Sequence, residues 1–161
     1  MAVPIHITGL SDREACIDTF LRFTQGLDEC NKQLIASSWT EDAVLDLTPM
    51  RKIGLSSGVT STRDAIVSQT LNGVGSMDSH HLVSNWRVHI LQGDTAYMTG
   101  VGLAQHYPPT LGPRPEVDNR LLMANRYNVE LRRAEDGLWR MSRLTITNSW
   151  TEGNLAVMTN H

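Results

Sequence analysis

The stretch SHHLVSNWRVHILQGDTAYMTGVGLAQHY, residues 79–107, decides the fold. It reads as two runs with a period of two, His80–Leu91 and Thr95–Tyr107, separated by the turn Gln92–Asp94. Such alternation predicts half-buried strands, and so short a turn makes them antiparallel neighbours. Successive side chains of a strand point to opposite faces, so His80 and His81 cannot both reach one cavity. The His80 face carries Leu82, Ser84, Trp86, Val88 and Ile90, while the His81 face carries Val83, Asn85, Arg87 and His89. The apolar set predicts packing on a core or a neighbouring subunit; the polar set suits either a pocket floor or plain solvent. On the second strand Ala96, Met98, Gly100, Gly102, Ala104 and His106 share a face nearly stripped of side-chain volume. Glycines weaken a strand and belong where something approaches the backbone closely or the sheet bends. Either a ligand lies on that face with His106 at its end, or a bend packs a helix there.

Upstream of this hairpin the period is helical. Ser11 and Glu14 form a capping box, followed by Ile17, Phe20, Leu21 and Thr24 on one face. Gly26 marks a break. Asp28 then either opens a second short helix as its N-cap or continues the buried stripe, where a carboxylate needs a partner such as an imidazole. That second helix turns Leu34, Ile35 and Ser38 inward and ends near Trp39; Ala43–Leu47 is a short strand stopped by Thr48-Pro49. Residues 51–61 carry turn residues without a period, and a third helix runs from the cap at Ser61–Asp64 through Leu71. Downstream, Pro108–Asn119 is a proline-rich loop, long enough to serve as a lid or subunit contact. Leu121–Arg133 and Leu138–Trp150 form a further hairpin. Helices first and long antiparallel strands after predict an α+β fold, with helices against one face of a curved sheet and a cone-shaped cavity between them.

The 161 residues make one domain, with a core of about residues 11–150 and a tail, 151–161, that either frays or folds over the cavity as a lid. The formal charge of −3 and the lack of a Lys/Arg cluster argue against a nucleic-acid footprint. Cys16 and Cys30 form no C-x-x-C pair, so neither a disulfide framework nor a zinc knuckle is expected. The opening MAVPIHITGL has no basic region ahead of a long apolar core, and no run approaches a membrane helix. A soluble cytoplasmic protein that makes no membrane contact is expected. No serine nucleophile elbow, P-loop, G-x-G-x-x-G or H-E-x-x-H is present, so any chemistry must come from scattered His, Asp and Asn residues.

The collinear stretches GLDECNKQLIASSWTEDAVLDL, SHHLVSNWRVHILQGDTAYMTGVGLAQHY, NRYNVELRRAEDGLWRM and ITNSW resemble the SnoaL-like, polyketide-cyclase-like branch of the nuclear-transport-factor-two fold, and within it scytalone dehydratase. The resemblance runs from about Thr24 to Trp150 and implies a cone-shaped α+β barrel. It implies His81 and His106 as catalytic histidines, Asp28 as the carboxylate that orients an imidazole, and Asn128 as a substrate-binding amide. Two tyrosines of the dehydratase, which hold a carbonyl-polarising water, are replaced by Leu27 and Leu47, leaving Arg126 and Asn85 as candidate donors. Met98 and Gly102 complete the expected substrate-binding set. The expected mechanism has His106, oriented by Asp28, remove a proton α to a ketone while His81 handles the departing oxygen. Asn128 and Arg126 would hold the enolate. The expected activity is a cofactor-independent lyase or isomerase on a small cyclic hydroxyketone or polyketide-type intermediate, dehydration favoured over isomerisation or cyclisation. Rival readings are a two-His-one-carboxylate metal site and a non-catalytic binding or assembly module. The resemblance also implies a homo-oligomer, a dimer or trimer.

Overall fold

The computed structural model describes residues 4–55 and 58–159. Ser56 and Ser57 of the expected irregular segment, the first three residues and the last two of the tail lie outside the described residues. In chain order the elements are α1 (Asp12–Asp28), α2 (Lys32–Ser37), β1 (Trp39–Asp46), β2 (Val59–Ser61), α3 (Arg63–Asn72), β3 (Asp78–Ile90), β4 (Thr95–Tyr107), β5 (Leu121–Arg133) and β6 (Trp139–Gly153). Short 3-10 turns sit at Thr48–Ile53, Val74–Ser76 and Leu155–Met158. The strands form one open sheet in the order β2-β1-β6-β5-β4-β3. All its pairs are antiparallel except β1 against β6, so the sheet is mixed.

The capping box starts α1 as expected: Ser11 accepts from the Glu14 N–H while Glu14 reaches back to the Ser11 N–H. Gly26 does not break the helix. A Cβ there would lie 2.6 Å from Ile35 Cγ1 and 2.9 Å from the Ile35 nitrogen, so glycine lets α2 cross against the last turn of α1. Asp28 is therefore the final residue of α1 and not a cap; Asn31 caps α2 through the Leu34 N–H. Leu21, expected inward, is exposed, and the buried stripe is Cys16, Phe20, Phe23 and Leu27. Trp39 begins β1 and is fully buried against Phe23.

The helices lie on one face of the β3–β6 sheet, and the apolar core between them joins Phe20, Phe23, Trp86, Tyr127, Trp139 and Leu144. Counting faces along β3 from His80 fails halfway. Ser84 pairs with Val101 but Arg87 with Thr99, so one extra residue is inserted, and Asn85 adopts a left-handed φ of 56°. Such a bulge moves every later side chain to the other face. His81 and Val83 point inward before it; Trp86 and Val88 point inward after it. The near-empty β4 face is explained by the same residue. A Cβ on Gly100 would stand 2.3 Å from the Trp86 ring, so the body that approaches this backbone is the chain's own indole. Gly100→Ala should lower stability by roughly 1–3 kcal/mol, the cost of overpacking a filled core, as measured by urea unfolding.

The loop Pro108–Asn119 is pinned to the start of β3: the N–H groups of Thr110 and Gly112 donate to the Asp78 carboxylate at 3.1 and 2.9 Å. None of its residues lines the inner cavity. In the tail, Val157 packs with Met50, Met77, Leu121 and Met123, and Met158 lines the cavity. No helix among the described residues is long and apolar enough to cross a membrane.

Candidate active site

Asp28 ends α1 directly above the start of β3. Its Oδ2 accepts the His81 backbone N–H at 2.9 Å, and its Oδ1 accepts the Ser79 hydroxyl at 3.0 Å and lies 2.6 Å from His81 Nδ1. Burial by itself would raise the Asp28 carboxyl. The His81 ring, the His81 N–H and Ser79 more than offset it and hold the group below its ordinary value. An ionised carboxylate accepts only, so His81 Nδ1 carries the proton of that bond and Nε2 is left as the basic nitrogen. The two adjacent histidines separate cleanly. The His81 side chain is 8% exposed and lines the cavity, whereas that of His80 is 74% exposed, 3.8 Å from Asp28 on the rim.

His106 stands on the next strand, two residues beyond the Ala104 that pairs with His81. Its ring centroid is 5.8 Å from that of His81, with the planes at 87°. Nδ1 faces the Leu121 carbonyl at 3.3 Å, which directs Nε2 away from the backbone. Burial, reinforced by the charge of His81, pushes the His106 imidazole down to about 4, so it is neutral at physiological pH. Asp28 thus orients His81, not His106, because the end of α1 meets β3 and β4 lies one strand farther away.

The two rings open into a cavity of about 160 Å³ between α1 and the sheet. Its wall is mainly hydrocarbon and aromatic, from residues such as Phe20, Phe23, Leu27, Leu47 and Met123. Leu27 and Leu47 therefore border the cavity but offer it no donor.

Four expected contacts fall elsewhere. Asn128 is on the outer face of β5, accepting the Tyr97 hydroxyl at 2.9 Å, and Arg126 shares that exposed face. Asn85 is exposed at the bulge. Met98 is fully buried within the core and does not line the cavity. Gly102 does face inward, but a Cβ there would lie 2.9 Å from the Tyr127 oxygen, so it makes room for a phenol and not for a ligand. The inward residues of β5 are Asn125 and Tyr127, both lining the cavity and both missing from the expected site. The alternation of β5 already separated the sets Ala124/Arg126/Asn128 and Asn125/Tyr127/Val129; the apolar members Tyr127 and Val129 were the signal for the inner face. Among the described residues no group of three His, Cys, Asp or Glu side chains is placed to hold a metal ion.

An open α+β cone with an Asp-backed imidazole at a mainly apolar cavity defines a class of small-molecule sites in which the fold supplies the walls and a few polar groups the chemistry. The chain belongs to the SnoaL-like domain family, whose model matches residues 8–145. It is 35% identical over 158 residues to the terrestric acid biosynthesis cluster protein E of Penicillium crustosum, covering 97% of this chain and 96% of that one. Among solved structures it resembles a hexachlorocyclohexane dehydrochlorinase (LinA) type 2, with a TM-score of 0.71, 21% identity, and 88% of each chain covered. It also resembles a candidate scytalone dehydratase from Novosphingobium aromaticivorans, with a TM-score of 0.69, 20% identity, and 88% and 86% of the two chains covered.

Proposed function

We propose that this protein is a cofactor-independent carbon–oxygen lyase acting on a small cyclic hydroxyketone. The observation that carries the reading is the 2.6 Å Asp28–His81 pair at the wall of a mainly apolar cavity. His81 Nε2 takes the proton α to the carbonyl, and the ionised Asp28 stabilises the resulting imidazolium. The electron pair of the C–H bond becomes the enolate. As the enolate collapses, the β C–O bond breaks; the imidazolium returns its proton to the departing oxygen, which leaves as water, and an enone remains. Neutral His106, with a lone pair on Nε2, accepts a hydrogen bond from the β-hydroxyl and holds it on the same side of the ring as His81. The same first step could start an isomerisation or a cyclisation; the acceptor beside the base favours elimination.

Supporting this reading, the curated relative is named for a biosynthesis cluster, and two proteins of the same fold are named for elimination reactions. A cavity of about 150 Å³ can hold benzene, so 160 Å³ suits a single ring with short substituents. The homo-oligomer is kept as part of the proposal, with Leu82, Val101, Leu103 and Trp150 exposed on the outer sheet face as its apolar contact.

The test is incubation with a panel of one-ring cyclic ketones and β-hydroxyketones in D₂O, followed by NMR. Deuterium should enter at the α-carbon, and the hydroxyketones should lose water, both faster than in buffer. A panel that shows neither would overturn the proposal. Asn128→Ala and Arg126→Ala should keep exchange within about twofold of wild type, as outer-face substitutions do.

A further inference from the structure

We infer that the Tyr127 hydroxyl is the group that polarises the substrate carbonyl, positioned by Asn125 and, behind it, Asn148. The inference rests on the enolate reading above. An enolate needs a hydrogen-bond donor at its oxygen, and that is the electrostatic contribution with most leverage on such a step. Among the described residues, the cavity wall contains no Lys or Arg. Thr24 and Thr70 line it, but their hydroxyls donate to helix carbonyls, Thr24 to Phe20 and Leu21 and Thr70 to Ile66 and Val67. His106 turns Nδ1 to Leu121, and His81 turns Nδ1 to Asp28. Among the described lining residues, the donors left are Tyr127 and the Asn125 amide.

The phenol is held by its surroundings. Its ring packs on Phe20 at 4.6 Å between centroids and stacks with Trp86 at 6.2 Å. Its oxygen lies over Gly102, which pairs with Asn125 on one side and Val83 on the other, one pleat from the Ala104–His81 pair. The missing Cβ at Gly102 is what lets the hydroxyl reach that level of the sheet.

The amides fix its polarity. Asn148 is fully buried, and the two protons of its Nδ2 are shared among three acceptors, the Ala124 and Trp150 carbonyls at 3.2 and 2.9 Å and Asn125 Oδ1 at 3.2 Å. Backbone carbonyls cannot donate, so the Asn148 nitrogen must face them, and Asn125 must present its oxygen to Asn148. The Asn125 nitrogen is then the end that meets the Tyr127 oxygen. Accepting from Asn125 leaves the phenol proton free for donation, and Tyr127 lines the cavity. Burial keeps the phenol protonated, pushing it up to about 12.

The test needs no turnover. 4-Nitrophenol serves as a one-ring probe whose phenolate mimics an enolate, and nitrobenzene is the same ring without the oxygen. Absorbance titration of wild type should show tighter binding of the phenolate than of the phenol, so that the bound probe ionises at lower pH than the free one. Tyr127→Phe should weaken phenolate binding about tenfold or more, the weight of a hydrogen bond to a charged group, and leave nitrobenzene within about twofold. Asn148→Ala should move the ionisation of the bound probe toward its free value while nitrobenzene still binds. Unchanged phenolate affinity in Tyr127→Phe, or an equal loss for both probes, would overturn the assignment, as would a wild type that binds neither ring. Those outcomes leave the His81 base untouched, since its own failure appears as absent deuterium exchange in wild type.

Discussion

His81→Ala is expected to slow α-carbon exchange and water loss by about 10²–10⁴-fold, the usual weight of a positioned general base. Asp28→Asn should fall in the same range, because a carboxamide cannot stabilise the imidazolium and can present the wrong tautomer to Nδ1. Neither change should unfold the protein. In His81→Ala the Asp28 carboxylate keeps the Ser79 hydroxyl and the residue-81 backbone N–H, so no bare buried charge remains. His80→Ala is the internal control: its ring is solvent-facing, and exchange should stay within about twofold of wild type. Circular dichroism and the exchange assay, run on the same samples, separate lost chemistry from lost fold. Wild-type exchange rates in His81→Ala would remove the base assignment.

The second large effect is on stability. Between pH 6.5 and 4 the protein should lose on the order of 3 kcal/mol through His106 alone. In the unfolded chain this imidazole titrates near its ordinary value, whereas in the fold it is pushed down to about 4. Over that window the unfolded state binds the extra proton, so stability rises with pH, is complete above the ordinary value, and is lost on acidification. Asp28 acts in a separate window. Its folded carboxyl titrates below the ordinary 3.8, so its contribution is present above that value and disappears only at more acid pH. Urea midpoints across pH 4–7 should therefore slope for wild type and flatten for His106→Gln, which cannot take the proton. Equal slopes in the two proteins would mean that the buried imidazole is not the titrating group.

The two predictions assign different work to two rings that the sequence treats alike. His106 stays neutral because it is walled in and has only a carbonyl as partner, which suits an acceptor and not a proton donor. His81 has the carboxylate. The sequence argued for both histidines and for Asp28 and allowed Asp28 either ring; its mechanism took His106, whereas the carboxylate meets His81. Strand alternation shows which face a residue takes, while a contact between a helix end and a strand depends on where the helix crosses. Likewise the β4 pattern of small residues ending in His106 correctly marked an inner face, yet the glycines accommodate Trp86 and Tyr127.

What the sequence by itself determined was the α+β order, the capped first helix, the long hairpins and the inward parity of β4. Each follows from periods and turn residues that act over a few neighbouring positions. What the tertiary structure alone decided was the inner face of β5, the reversal of β3 at Asn85 and the Asp28–His81 pair. A single inserted residue exchanges the two faces of a strand at almost no local cost, so no count along the chain survives it. The partner strand's register and the crossing of α1 then settle which atoms meet.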